Sequence, residues 1–205
     1  MVMTSARLAL LLVLLVALPS RAGGLDPEAT VNRLHEALVQ IMREGEALGF
    51  EGRLDRIRPE VSASFRFKSV ARAVLGAHWN ELGNDDRAVM QLLLERLTVV
   101  SYASRFRRFH GERFVLTGVK PVRAGRQLVR SELKHANVLK ASFDYLLEPG
   151  DDGWRIVNVI ANGVSDLSLK RAEYASVIRK DGFQALLSRI GQQITDLMEE
   201  AAPSG

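Results

Sequence analysis

Residues able to do covalent or acid–base chemistry are few in this sequence, and they are scattered. Gly163-Val164-Ser165 follows an alternating apolar run and precedes a helical pattern, the setting in which a nucleophilic serine is displayed on a tight strand-to-helix turn. The second glycine of that motif is absent, because Leu167 stands in its place. All four histidines, His35, His78, His110 and His135, precede Ser165, so the chain order Ser, acid, His is not met. Ser165 reads instead as a helix cap. Asp144, Tyr145 and His135 are the nearest candidates for an acid–base set acting on an apolar substrate.

The same sparseness holds for other chemistries. No His-x-x-x-His spacing occurs and there is no cysteine, so no metal constellation is legible. Neither a glycine-rich phosphate loop nor a dinucleotide fingerprint is present, and no cofactor is implied. Asp85-Asp86, Asp151-Asp152 and Glu199-Glu200 fall at a helix start, a turn and the tail, where carboxylates are solvated. His78 beside Trp79 reads as a packed or exposed loop residue. An apolar interior without an assembled reactive group points to carrying a ligand over transforming one.

The elements that position these residues divide into a helical first half and a stranded second half. Asp26-Pro27 opens a helix with its stripe at Val31, Leu34, Leu38 and Ile41. Gly49 and Gly52 mark a break, and Arg53 to Ser64 gives a second amphipathic piece interrupted by Pro59. Phe65-Arg66-Phe67 places two rings on one side of an extended segment. Val70 to Leu75 is a short helix ending at Gly76. Asn84-Asp85-Asp86 caps the longest helix, running to about Arg108 with its stripe at Val89, Leu93, Leu97, Val100 and Ala103. Leu92, Leu94 and Val99 widen that stripe. Then the period changes to two. Arg113–Lys120, Gln127–His135, Val138–Glu148 and Trp154–Ala161 read as strands joined by short links, hence antiparallel. Asn162-Gly163 breaks the last strand, and two helices follow, divided at Asp181-Gly182. The expected architecture is α+β: a curved antiparallel sheet of four to five strands, packed on helices and enclosing an apolar cavity.

Residues 1–22 read as a secretory signal peptide: Arg7, the apolar run Leu8 to Leu18, Pro19, then Ser20-Arg21-Ala22. Residues 23–205 form a single domain on this reading, exported and dependent on its core for stability. Loss of the leader removes Arg7 and Arg21 and no acid, lowering the formal net charge of +4 by two. So mild a balance does not by itself support a nucleic-acid footprint, and no nucleic-acid partner is expected. Arg105, Arg107, Arg108, Arg113, Lys120, Arg123, Arg126, Arg130, Lys134 and Lys140 form a basic band, a solvated face or a docking surface for an acidic partner or anionic lipid.

Several short patterns occur in a definite order. They are Phe65-x-Phe67, Val74-Leu75-Gly76-x-x-Trp79, Tyr102-Ala103-x-x-Phe106, Gly111-Glu112-x-Phe114, Trp154-x-Ile156-x-Asn158-Val159, Gly163-Val164-Ser165 and Arg171. Together with the leader they resemble the MlaC family, periplasmic phospholipid-binding shuttles also called toluene-tolerance auxiliary components of an ABC transporter. Asp166-Leu167-x-Leu169-Lys170-Arg171-Ala172-x-Tyr174 and Arg179-x-Asp181-Gly182-Phe183 are similar to the hopanoid-associated HpnM branch. The chain departs from the pattern at Arg66, where an Asp is common, and in the polar stretch Ser165 to Ser168. The resemblance implies a fold like nuclear transport factor 2 or cystatin, with acyl chains between sheet and helices. It implies a phospholipid or hopanoid cargo, an MCE-domain subunit of an inner-membrane transporter as partner, and an outer-membrane lipoprotein complex as a second. By apolarity and position, the expected cavity residues are Val74, Leu75, Trp79, Leu93, Leu97, Val100, Phe114, Phe143, Tyr145, Trp154, Val157, Val159 and Val164. The alternatives are an enzyme on the same fold and an interaction module that carries nothing.

Overall fold

The computed structural model describes residues 26–201. The leader read over residues 1–22, and the tail beyond Ala201, lie outside the described residues. Asp26 caps α1 (Pro27–Arg43) by accepting the Ala29 N–H at 2.6 Å, and Val31, Leu34, Leu38 and Ile41 are buried as the spacing requires. α2 (Gly45–Ser64) bends at Gly49, which adopts φ 61°. Gly52 does not break it, and Pro59 does not interrupt it, contrary to expectation. Proline removes one backbone bond, but Ile57 and Val61 on either side are fully buried and hold the turn in place.

α3 (Phe67–Leu75) stops at Gly76, whose φ of 58° favours glycine. His78 and Trp79 then lie in a short 3-10 helix, Gly76–Glu81, where a loop was expected. Trp79 is buried beneath the Arg87 guanidinium, 5.2 Å from the ring centroid. α4 (Asn84–Arg105) corrects two expectations. Its N-cap is Gly83, with Asp85 and Asp86 in the first turn, and it ends at Arg105. Its buried residues are Met90, Leu94, Leu97, Val99, Val100 and Ala103, whereas Val89 and Leu92 are exposed. The stripe is rotated because α2 and α3 as well as α6 (Phe183–Ala201) pack around α4.

The sheet has strand order β1-β2-β3-β4-β5 and is antiparallel throughout: β1 (Arg113–Pro121), β2 (Gln127–His135), β3 (Val138–Glu148), β4 (Arg155–Ala161) and β5 (Val164–Ser165). The two-residue β5 adds a fifth strand to the four read from the sequence. Two-residue turns with positive φ at both centres, Ala136-Asn137 and Asn162-Gly163, close the β2–β3 and β4–β5 hairpins. The register shifts once in each of the three long pairings, and such bulges bend and twist a sheet. Ser165 caps α5 (Asp166–Asp181), its hydroxyl accepting the Ser168 N–H at 3.2 Å. Gly182, with φ 88°, separates α5 from α6.

Two stitches join helices to sheet and helices to one another. Phe65 bridges in parallel to Ile156, and the Arg66 N–H donates to the Ile156 carbonyl at 3.0 Å. Arg53 is buried and donates to the carbonyls of Ala103 at 2.9 Å and Gly45 at 2.8 Å. This ties α2 to the end of α4 just before the chain enters the sheet. Gly45 is confined there, since a Cβ would stand 2.1 Å from the Arg107 carbonyl oxygen. Burial, then the Arg107 charge, lowers the Arg53 pKa.

Replacing Arg53 by Leu strands two buried carbonyls, at roughly 2–4 kcal/mol. Arg56→Leu, which loses only a surface pair with Glu44, is expected to cost less than about 1 kcal/mol. Urea unfolding of the two variants checks the contrast.

Candidate functional site

Alternation along β2 and β3 directs Val129, Ser131, Leu133, Phe143, Tyr145 and Leu147 to the helix-covered face. Rings continue from there into the helical layer. Tyr145 lies 6.2 Å from Phe143, Phe143 5.9 Å from Phe114, Phe114 6.2 Å from Phe106, and Phe106 5.8 Å from Tyr102. Tyr102 lies 6.3 Å from Phe65, which stacks on Phe67 at 5.6 Å. His35 of α1 stacks flat on Phe114, with centroids 4.0 Å apart and planes 6° apart, and its Nε2 is 3.0 Å from the Tyr145 hydroxyl. Ser131 Oγ is 3.5 Å from the same nitrogen.

Where this row reaches Tyr102, a cavity of about 260 Å³ opens between sheet and helices. Phe65, Phe67 and Val70 contribute from the α2–α3 corner, Leu97 from α4, Val157 and Val159 from β4, Leu167 from α5 and Leu197 from α6. The register of β4 skips Val157, so Ile156 and Val157 are both buried despite being neighbours. Polar groups are graded along the helices. On α4 the sequence Leu97, Ser101, Arg105 recurs every four residues and lines one wall. It passes from a buried aliphatic through a half-buried hydroxyl to an exposed guanidinium. Asp166 and Lys170 of α5, paired at 2.6 Å, face the same opening with Gln193 of α6. Asn158 and the capping Ser165 exchange hydrogen bonds at 3.2 and 3.3 Å beside it. Burial first, then the Asp166 carboxylate, raises the Tyr102 pKa, so its hydroxyl stays protonated. The arrangement is a small amphipathic chamber: a ring-and-aliphatic floor beneath a charged rim.

Of the residues expected to line a cavity, Leu97, Val157 and Val159 meet in this chamber. Val100 lies across α4, on a depression of about 460 Å³ that mixes Leu54, Leu92 and Met198 with Glu51, Arg58, Glu95 and Arg96. Phe114 borders an open groove between α1 and β1. Val74, Leu75 and Trp79 are packed in the core, and Phe143 and Tyr145 belong to the ring row. Leu93 and Trp154 are half-buried, the Trp154 carbonyl accepting the Thr30 hydroxyl at 3.0 Å. Val164 sits 52% exposed on β5, away from the chamber. Sequence reasoning did not place Phe65, Phe67, Tyr102, Lys170 or Gln193 at a site, and it placed Arg105 only in the basic band and Asp166 only in the polar stretch Ser165 to Ser168. The four-residue recurrence on α4 was the available signal.

The acid–base set Asp144, Tyr145 and His135 does not converge. Adjacent strand residues face opposite ways, and Asp144 pairs with Arg130 at 3.6 Å while Tyr145 faces His35. Three residues of the basic band are engaged in ion pairs, Arg130 on Asp144, Arg126 on Glu148 and Lys134 on Glu132. Among the described residues, no three His, Asp or Glu side chains are placed to hold a metal ion, and no helix is long and apolar enough to cross a membrane.

Residues 32–192 match the family model described as MlaC protein. In three dimensions the chain is similar to a phospholipid-binding protein from Ralstonia solanacearum, determined in complex with a phospholipid. The TM-score is 0.75 at 16% identity, covering 85% of this chain and 99% of that one. At that identity the likeness is one of fold. No curated protein matches the sequence significantly.

Burial lowers the His35 pKa from 6.5 to about 3, so the folded ring is neutral. Above 6.5 neither state carries that proton. Below it the unfolded chain binds a proton that the folded chain refuses, and stability falls as pH drops from 6.5 toward 3. His35→Gln is expected to give a shallower fall in urea midpoint between neutral and mildly acid pH than the native protein.

Proposed function

The chain belongs to the MlaC family, and from that premise we propose that it is a periplasmic lipid carrier that holds an acyl chain in the chamber between sheet and helices. The observation that carries this reading is the chamber's polarity, with Phe65, Leu97, Val157 and Val159 below and Arg105, Asp166 and Lys170 above. The phospholipid bound by the Ralstonia protein of the same fold supports phospholipid as the cargo. No covalent step is required. Burying a methylene is worth about 0.8 kcal/mol, so some thirty of them give on the order of 20 kcal/mol gross, reduced by ordering of lipid and walls.

At about 260 Å³ the chamber is smaller than the roughly 300–1,000 Å³ that drug-sized ligands occupy. A diacyl lipid is larger still, so the walls must part to admit one. α5 is the wall of least resistance. It buries only Tyr174 and Val177, worth about 1.5–3 kcal/mol each. The left-handed residues Asn162, Gly163 and Gly182 flank it as pivots. α4 buries six side chains and is held by Arg53. Release into a membrane complex then calls for a docked partner, for which the MCE-domain subunit of an inner-membrane transporter and an outer-membrane lipoprotein complex are the proposed candidates.

Val159→Asp places an unpaired carboxylate in the floor and is expected to lower co-purified lipid more than about tenfold. Val164→Asp, on exposed β5, should leave it unchanged. Native mass spectrometry with solvent extraction of the bound lipid reads both variants. Equal lipid in the two would remove the chamber as the site, and recovery of a hopanoid would change the cargo.

A further inference from the structure

The β2–β3 hairpin projects beyond the rest of the sheet. β4 pairs with β3 only from Phe143 onward, so Val138 to Ala141 have β2 alone as a neighbouring strand. The register passes over Lys140, and a bulge of this kind adds local twist. Ala136, Asn137, Val138, Leu139 and Lys140 are all exposed. Val138 is 59% and Leu139 53% exposed. Among the described residues, they are the one pair of exposed large apolar side chains adjacent in the chain. Positive φ at Ala136 and Asn137 closes the turn, so the fold itself makes no demand for aliphatic residues at this tip.

Cations gather behind the tip. Arg113 opens β1 opposite Lys134 and donates to the Asn137 side chain. Gly111 lies against the His135 ring, which lays the segment before β1 along the base of the hairpin. Arg108 borders a depression there with Phe109 and Arg43, the Arg43 guanidinium lying 4.9 Å over the Phe109 ring. Arg108, Arg113 and Lys140 are exposed. Among the described residues none of the three is in a salt bridge, the ion pairs of the basic band belonging to Arg126, Arg130 and Lys134. Few acids approach. Glu112 accepts the His110 N–H at 2.5 Å, and Glu46 shares the depression with Arg43 and Arg108. Glu36 and Glu44 lie along the groove that Arg113 borders, and Glu44 is paired with Arg56.

We propose that this hairpin tip is a membrane-docking site, in which Val138 and Leu139 enter the interface of an anionic bilayer while Arg108, Arg113 and Lys140 face its headgroups. The tip is convex, and a protein partner would need a cleft shaped to it, whereas fluid headgroups part around it. Aliphatic side chains settle at the boundary of headgroups and acyl chains, and the long basic side chains keep their charges in the water above. Each cation held at an anionic surface is worth about fivefold in partition, and the attraction fades within a Debye length. The site is independent of what the chamber holds. It gives the chain a direct and reversible contact with the bilayer itself, besides any contact with a protein complex.

The test sediments the mature protein with sucrose-loaded vesicles of phosphatidylcholine, alone or mixed equally with phosphatidylglycerol. The native protein is expected to bind the mixed vesicles about tenfold or more tightly than the neutral ones at low salt, with the gap narrowing as salt is raised. Val138→Ser combined with Leu139→Ser should weaken binding to the mixed vesicles about tenfold, and Arg108→Gln combined with Lys140→Gln by a similar factor. The chamber variant Val159→Asp should dock as the native protein does, which separates docking from carrying. The chain has no cysteine, so Leu139→Cys takes a single polarity-sensitive dye. Its emission should shift to the blue on mixed vesicles, and that of the same dye at Leu92→Cys, exposed on α4, should not. Absence of binding, or equal binding to the two kinds of vesicle, would overturn the proposal. So would a dye at position 139 that stays in water while the protein sediments. Binding untouched by the serine pair would overturn it as well, and would leave the basic band as a face for an acidic protein.

Discussion

The helical layer meets the sheet through rings. From Tyr145 on β3 to Phe67 at the start of α3, a row of aromatic side chains crosses the inner face, with successive centroids about 6 Å apart. Aromatic pairs at such separations add about 0.5–1.5 kcal/mol each beyond the area they bury. His35 is drawn into the row as a third kind of ring, flat on Phe114 and hydrogen-bonded to Tyr145. This contact fixes α1 over β2 and β3 and α4 over the sheet's near edge. It also decides how much empty space remains. The chamber opens past the end of the ring row, where Tyr102 and Phe65 give way to Val157 and Val159.

The position of that opening follows from β4. A regular strand would turn Ile156 and Val157 to opposite faces. The register skips Val157, so Ile156 pairs with Leu147 and turns to the side of Val159, and both Ile156 and Val157 are buried. The parallel bridge from Phe65 to Ile156 brings the corner of α2 and α3 against the same stretch. Above it, α4 and α5 arrive with their charged ends outward, so the gradient from apolar to cationic is built into helix geometry.

Much of this was legible in the sequence. The ends of β2 and β3 fall where period and turn residues place them, Asp26 and Ser165 cap the helices they were expected to cap, and Gly182 divides α5 from α6. These are local signals, carried by propensity and capping chemistry. On α4, Leu97, Val100 and Ala103 are buried as the spacing requires, but Val89 is exposed and Met90 buried, because three helices pack around α4 and a periodicity argument assumes one buried face. Phe143 and Tyr145 pack in the ring row and not in the chamber, because apolarity cannot distinguish a ring that faces a void from one that faces another ring. Lys170 and Gln193 carry no sequence signal of a site, because a polar residue on a helix usually means only solvent, and Arg105 reads from the sequence only as part of a basic band. Their convergence is a tertiary fact, contributed by three separate helices.

Arg66 stands just before α3, and the structure shows what it holds. Its guanidinium lies 3.7 Å from Glu148 and 3.7 Å from Asp152, and donates to the Pro149 carbonyl at 3.3 Å. The residue before α3 is thereby clasped to the β3–β4 hairpin. An acid at position 66 would meet the acidic Glu148-Pro-Gly-Asp-Asp152 turn with like charge and could not make this clasp. One guanidinium thus acts as a rivet between two segments separated by eighty-odd residues along the chain.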